Sequence, residues 1–396
     1  MALLVSVAMG LGMTSCGGGT IGFMWVLGTQ SNQIGGFKID DYTGNLTATV
    51  GSPYSSVGAN PVMLALKSGG RYLYVLNAGN DTTAGNISLF SVGGDGTLTF
   101  QNSYSSQGTH PIWITTDSGG NFLYVLDQQA PDYATTGNGS ITAFSLDGNT
   151  GRASLITNSQ VKNAQGTQLT YFEVGSKPIE MRYAPNGCIY TLDSGDQTIF
   201  PYSVAGSNGQ LTQPTNSTIA LNTANATSVN VGGSFIYVTD AGSTAGGPGT
   251  IYPYTQGTSC ALATVTGGAT ANLPNSSYPV QTLTSSNSKY LYVLNKSTLN
   301  TNNPGSTISA FTILSNGQLQ AISDGTNNPY GVGSGPTCMA FDPTNQYIYT
   351  SDSSASTVTG KLYSAAYGFL SALNRGSTFP TVGTPSCLVI SANTGS

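Results

Sequence analysis

The chain has 396 residues, of which 7% are charged, with 11 Lys and Arg against 16 Asp and Glu and a formal charge of −5. Soluble domains usually carry about 25% charged residues, so Ser, Thr, Asn, Gln and Gly must coat this surface. No basic run or patch exists, which excludes nucleic acid as a partner. The single histidine leaves no cluster of ligands for metal or redox chemistry, and neither a metal nor another cofactor is expected.

In chain order, the apolar stretch Ala2 to Met13 is too short to span a bilayer and matches the core of an export signal. It runs into Met13-Thr-Ser-Cys16-Gly-Gly, which resembles the bacterial lipobox and implies lipidation of Cys16. With plain secretion, Cys16 is only a cysteine near a cleaved signal. Residues 1–16 are therefore expected to be a signal and lipobox segment. Residues 17–22 are expected to be a Gly-rich linker: Gly17-Gly-Gly19-Thr-Ile-Gly22 fits G-x-G-x-x-G, but no βαβ unit surrounds it.

From residue 23 onward one tetrad recurs, an aromatic in a short apolar run closed three residues later by Asn, Asp or Gly. The copies start at Trp25, Tyr74, Tyr124, Tyr190, Tyr237, Tyr292 and Tyr349, with steps of 49, 50, 66, 47, 55 and 57 residues. A self-similar step of this size signals an array of one supersecondary unit. Each unit opens on Pro and a short apolar run, as at Pro61, Pro111, Pro178, Pro279 and Pro336, with a degenerate copy near Thr227 to Val231. After a Gly/Asn/Ser turn comes the tetrad, whose terminal Asn or Asp suits a turn. A third run carries Phe37, Phe90, Phe144, Tyr202, Tyr254 or Phe311, with Leu362 in the last copy. A Gly-x-Leu step begins the fourth, as in Gly96-Thr-Leu98.

Runs this short, rich in Val, Ile, Thr and Tyr and bounded by Gly, Asn and Pro, are strands, and four per unit around a ring make a β-propeller. The first unit, from Phe23 to about Val50, lacks an opening strand, whereas Pro385-Ser-Cys-Leu-Val-Ile390 has no strand after it. The expectation is an all-β, seven-bladed propeller over residues 23–396 with four-stranded antiparallel blades, its N-terminal blade completed by the C-terminal strand. Such closure removes the two edges of an open array.

Four cysteines remain besides Cys16. Cys188 starts the second strand of blade four and Cys260 sits between the third and fourth strands of blade five, on one face of adjacent blades. Cys338 and Cys387 each stand two residues after an opening Pro, again in adjacent blades. Disulfides Cys188–Cys260 and Cys338–Cys387 are expected, as an exported chain permits; buried free thiols are the alternative.

The unit Pro-x7–9-Gly-x-x-Leu-Tyr-Val-x-Asn, then Ile-x-x-Phe, then Gly-x-Leu, read most clearly from Gly58-Ala-Asn-Pro61 through Leu98, resembles the lactonase-type seven-bladed propellers. These include 6-phosphogluconolactonase-like and carboxymuconate-lactonizing proteins, and the likeness spans roughly residues 21 to 396. It implies the fold and a lactone substrate. Enzymatic members are expected to use His, Arg and Glu at the mouth of the ring, and candidates here are His110, Glu180 and Arg182. His110 precedes Pro111, where other blades carry Asn60, Lys177, Tyr278, Gly335 and Thr384. An imidazole there offers a general base, while the variety of occupants suggests a polar rim residue. Glu180 and Arg182 lie two apart on one strand, and either bind a ligand or pair structurally.

Asp127, Asp193, Asp240 and Asp352 end second strands. They are ligand candidates, Ca²⁺ included, with turn capping as the plainer role. Long connections at about 78–86, 128–140, 241–249 and 296–306, with an insertion at 157–176, add Asp132, Tyr133 and Pro304, on loops of the kind that carry binding. These features lead to the expectation of an exported extracellular or cell-surface module. It would bind carbohydrate, peptide or copies of itself, touching membrane only through an N-terminal lipid. The rival expectation is a lactonase-like hydrolase with its site at the axial mouth.

Overall fold

The computed structural model describes residues 19–393 other than 132–136, 216, 243–247, 258, 269–270, 276, 298–305 and 324–327. The leader with Cys16, and the loop residues Asp132, Tyr133 and Pro304, lie outside the described residues. Among the described residues there is no helix, and the strands form seven antiparallel sheets.

Blade 2 shows the pattern. Pro61–Leu66, Tyr72–Asn77, Asn86–Val92 and Leu98–Tyr104 neighbour one another in space as in sequence. The second strand is buried on both faces because each blade is sandwiched between two others. It therefore reads as a continuous apolar run, whereas the fourth is largely exposed. In the other six sheets the fourth strand is broken, and a further short segment pairs with the third strand. In blade 3 that segment is Phe172–Ser176, so the 157–176 insertion ends inside the sheet.

The ring closes as expected. Pro385–Ala392 pairs with Thr20–Gly28, aligning Leu388 with Val26, and Thr20–Gly28 pairs in turn with Gln33–Asp40. The first strand begins at Thr20, so residues 20–22 belong to blade 1 and not to the expected linker. Register also corrects the last third-strand slot: Phe90 lies opposite Leu73 and Phe311 opposite Leu291, but Lys361, not Leu362, lies opposite Ile348. Lys361 has its pKa lowered by burial, and Leu362 is exposed.

The seven apolar clusters lie between blades, and the tetrad aromatics are the largest fully buried side chains. At six junctions the tetrad aromatic donates a hydrogen bond to a glycine carbonyl in the next blade. Trp25 donates to Gly96 at 3.2 Å, Tyr74 to Gly151 at 2.6 Å and Tyr124 to Gly209 at 3.2 Å. Tyr237 donates to Gly317 at 3.1 Å, Tyr292 to Gly368 at 2.8 Å and Tyr349 to Gly44 at 2.6 Å. Each acceptor glycine has φ between 66° and 83°, a conformation that costs other residues energy. Two residues before each tetrad aromatic, Phe23, Tyr72, Phe122, Phe235, Tyr290 and Tyr347 press on the same glycines, so closely that a Cβ would come within 2.2–2.7 Å.

The junction of blades 4 and 5 is different. Cys188 occupies the pressing-aromatic position and Cys260, at φ 63°, the glycine position, and the two are joined as a disulfide. Cys260-Ala-Leu262 is thus blade 5's Gly-x-Leu step, hidden from a sequence reading by its cysteine. Cys338 and Cys387 form the second expected disulfide. It links equivalent positions on neighbouring innermost strands, which approach to 4.9 Å between Cα atoms near the axis.

Candidate functional site in the axial channel

Each innermost strand departs from regular register just after its opening residue. Such a bulge re-aims the side chain beside it. In three successive blades the residue two after the opening position accepts a backbone N–H from the next innermost strand. Glu180 Oε2 accepts from Val229 at 2.8 Å, Ser228 Oγ from Thr282 at 3.1 Å, and Gln281 Oε1 from Met339. In the other blades this position holds the disulfide Cys338–Cys387, Met63 and Trp113.

Arg182, two residues beyond Glu180, turns back on it. Its Nη2 pairs with Glu180 Oε1, its Nε donates to the Val229 carbonyl at 3.1 Å, and its guanidinium lies 4.7 Å from the centre of the Trp113 ring. The pair therefore grips both polar groups of Val229, and Trp113 adds a cation–π contact. Glu180 is buried, which pushes its carboxyl pKa up against the pull of Arg182. Arg182 keeps 19% exposure and faces the axial cavity.

That cavity, about 520 Å³, is lined by the innermost strands of all seven blades. It reaches beyond the ends of these strands to Pro185, Gly233 and Ser288, so it opens on the face opposite the opening prolines. Among the described lining residues Arg182 is the only charged one, flanked by Thr115, Tyr183, Asn230, Thr284 and Ser285.

His110 is elsewhere. It is exposed at φ 56°, a left-handed slot shared with Asn60 at 56°, Lys177 at 49°, Gly335 at 66° and Thr384 at 52°. It lines a separate cavity of about 430 Å³ with Asn80, Asp81 and Thr83, which shares no lining residue with the axial one. The structure brings Glu180 and Arg182 together and leaves His110 apart.

Asp127, Asp193, Asp240 and Asp352 are 0–4% exposed and are held by their own blades. Thr142 donates to Asp127 at 3.3 Å and Thr191 to Asp193 at 2.8 Å, while Thr359 and Thr350 donate to Asp352 at 2.6 and 2.9 Å. Asp240 accepts from the backbone of Ala224, Asn225 and Gly242 at 2.8–3.0 Å. Burial pushes Asp127 up to about 7, Asp193 to about 8 and Asp352 to about 6. Asn77 and Asn295 fill the same slot, donating to Ser88 at 3.2 Å and Ser309 at 3.0 Å. These hydroxyl partners escaped the sequence reading, although Ser88, Thr142 and Ser309 each stand two residues before the third-strand aromatic.

The fold and its axial cavity define a seven-bladed propeller with a ligand-sized central site. The family described as Lactonase, 7-bladed beta-propeller matches residues 21–226, and the chain belongs to that family. No curated protein matches. Among solved structures, one described as a candidate 6-phosphogluconolactonase from Bacteroides fragilis superposes with TM-score 0.66 and 19% identity, over 94% of this chain and 98% of that one. A candidate 6-phosphogluconolactonase from Bacteroides uniformis gives 0.70 and 16%, over 94% and 100%. The periplasmic gluconolactonase of Pseudomonas aeruginosa gives 0.68 and 16%, over 94% and 99%. At such identities the likeness shows the fold. Family membership overturns the expectation of a binding or self-assembling module, which rested on the scarcity of catalytic residue types, and favours its rival.

Proposed function

We propose that the protein hydrolyses a lactone in the axial cavity, with Arg182 as the electrophilic anchor. Family membership carries this reading, together with a single guanidinium set in a wall of hydroxyl and amide groups. Hydroxide adds to the lactone carbonyl, the ring C–O bond breaks, and the departing alkoxide takes the proton of the new carboxyl group, leaving a hydroxy carboxylate. A guanidinium held by Glu180 and Val229 needs no reorganisation to meet the developing oxyanion, and it pairs with the carboxylate of the product. Tyr183 offers a neutral phenol beside it, its pKa raised by burial.

No described lining residue is a carboxylic acid or an imidazole, so the wall supplies orientation and charge stabilisation, with hydroxide from solvent as the nucleophile. The rate should then climb with pH without a histidine inflection. Turnover of a lactone panel tests the reading. Glu180→Gln/Arg182→Met, which leaves no uncompensated buried charge, should lose about 10²–10³-fold in kcat, and His110→Ala should change little. Full activity in the double variant overturns it.

We further propose that the protein works outside the cytoplasm. Its two disulfides suit an oxidising compartment, and a structural neighbour is a periplasmic gluconolactonase. Anchoring through a lipid on Cys16 belongs to this proposal. The mass of the mature N-terminal peptide tests it, and an unmodified Cys16 peptide counts against the anchor.

A further inference from the structure

The axial cavity has two unlike halves. Blades 7, 1 and 2 contribute residues 338–340, 387–389 and 63–66. All ten residues are aliphatic, methionine or half of the Cys338–Cys387 disulfide, and the four whose side chains are not buried are Met63, Leu66, Ala340 and Val389. The polar lining comes from blades 3 to 6, where Thr115, Arg182, Asn230 and Thr284 stand. In a ring of seven, blade 1 stands opposite the junction of blades 4 and 5, so the apolar arc faces Arg182 and Asn230 across the axis. A ligand bearing hydroxyls all round would leave part of its polar surface unpaired against Met63, Ala340 and Val389, and burying unpaired polar groups is costly.

From this arrangement we infer that the ligand of the axial cavity is amphipathic: a lactone carrying an alkyl or aryl substituent, its ring against Arg182 and its substituent along the arc of blades 7, 1 and 2. This rests on the lactonase reading above and narrows its substrate class. The cavity's volume, about 520 Å³, falls within the range of small-molecule sites and has room for a ring and a medium chain. Burial of one methylene supports about a fourfold gain in kcat/KM, until the chain outgrows the arc.

The test compares δ-gluconolactone with δ-lactones bearing ethyl, pentyl and heptyl side chains, using the full mature chain. For an amphipathic site kcat/KM should rise about fourfold per methylene from ethyl to pentyl and exceed that of gluconolactone. Val389→Thr/Ala340→Ser, which makes the arc polar at nearly constant volume, should flatten the rise. Met63→Gln serves the same purpose should that variant fail to fold. A flat alkyl series with efficient gluconolactone turnover overturns the inference and leaves the lactonase reading standing. If no lactone is hydrolysed, the lactonase reading falls, and calorimetry with the ring-opened 5-hydroxyalkanoates decides the ligand class. Binding that tightens with chain length and is lost in Glu180→Gln/Arg182→Met upholds an amphipathic ligand, and no binding overturns it.

Discussion

Six blade junctions are held by an aromatic pressed on a left-handed glycine and a hydrogen bond to that glycine's carbonyl, and the junction of blades 4 and 5 is held by Cys188–Cys260 in the same two positions. The covalent bond replaces ring contact, while the tetrad hydroxyl there finds side-chain amides in place of a backbone carbonyl, Tyr190 reaching Gln256 Oε1 at 3.5 Å and also bonding Asn186. Blade 4 departs a second time. Phe200 takes the third-strand slot that holds Ser88, Thr142, Ser309 or Thr359 in blades 2, 3, 6 and 7, and Asp193 turns to Thr191 of its own strand. One backbone position thus admits two chemistries, provided the geometry of a left-handed residue facing its neighbour is kept.

The largest effect should come from filling a glycine slot. At Gly209, φ is 71° and a Cβ would stand 2.5 Å from the Phe122 ring. Gly209→Val adds backbone strain to overpacking, for an expected loss of about 2–5 kcal/mol. This is read as a lower urea midpoint at unchanged slope. A loss below about 1 kcal/mol would show that the ring can yield, and the comparison would lose its steric basis.

Next comes the disulfide. Cys188→Ala/Cys260→Ala should lose about 2–4 kcal/mol, whereas Cys188→Phe/Cys260→Gly rebuilds the pattern of the other junctions and should recover most of that loss. The reverse exchange, Phe122→Cys/Gly209→Cys, should form a third disulfide, seen as a cross-linked peptide in a non-reducing digest. Free thiols at 122 and 209 would mean that the two kinds of junction are not equivalent in geometry.

How far this comparison was legible in the sequence depends on which residues carry it. The tetrad aromatics and Gly-x-Leu steps repeat, so the blades, their number and the closing strand could be counted from spacing. The pairing of the two motifs across blades could not, because Tyr74 and Gly151 are 77 residues apart and nothing local links them. Cys260 and Lys361 broke the residue type while keeping the backbone slot, so a reader of residue types passed over both. The axial site was half legible. Glu180 and Arg182 share a strand and their pairing follows from period two, but which end of the channel Arg182 faces depends on bulges that no composition reveals. His110 attracted notice as the only histidine, yet its place is a backbone position, filled elsewhere by Asn, Lys, Gly and Thr.

Acidity separates the blades more gently. Burial raises Asp352, Asp127 and Asp193 to about 6, 7 and 8, all above the unfolded value near 3.8–3.9. The folded state therefore holds protons that the unfolded chain has released. Its stabilisation is fully present below about pH 4 and is lost as pH rises through 6 to 8. Urea midpoints should fall between pH 5 and pH 9, with the contribution of Asp193 extending to the highest pH. Asp193→Asn, which copies Asn77 and Asn295, should remove most of the fall between pH 7 and pH 9. An unchanged pH slope in that variant would mean that Asp193 is ionised in the fold, and blade 4 would lose its second distinction.

The smallest effect is the most specific. Tyr74→Phe deletes a hydroxyl that donates to the Gly151 carbonyl at 2.6 Å inside the core, leaving that carbonyl without this donor. The expected cost is about 0.5–1.5 kcal/mol, with the ring and its packing retained. Tyr190→Phe deletes a hydroxyl whose partners are flexible side-chain amides, Gln256 at 3.5 Å and Asn186, and Gln256 also donates to the Gly233 carbonyl at 3.2 Å. It should therefore cost less than Tyr74→Phe, and introducing Tyr190→Phe into Cys188→Phe/Cys260→Gly should raise that cost toward the value at the other junctions. The double-mutant cycle isolates this coupling. Equal costs for both tyrosines in the native chain would show that the disulfide junction keeps the full latch, and its cysteines would then be an addition to the aromatic–glycine pattern, not a substitute for it.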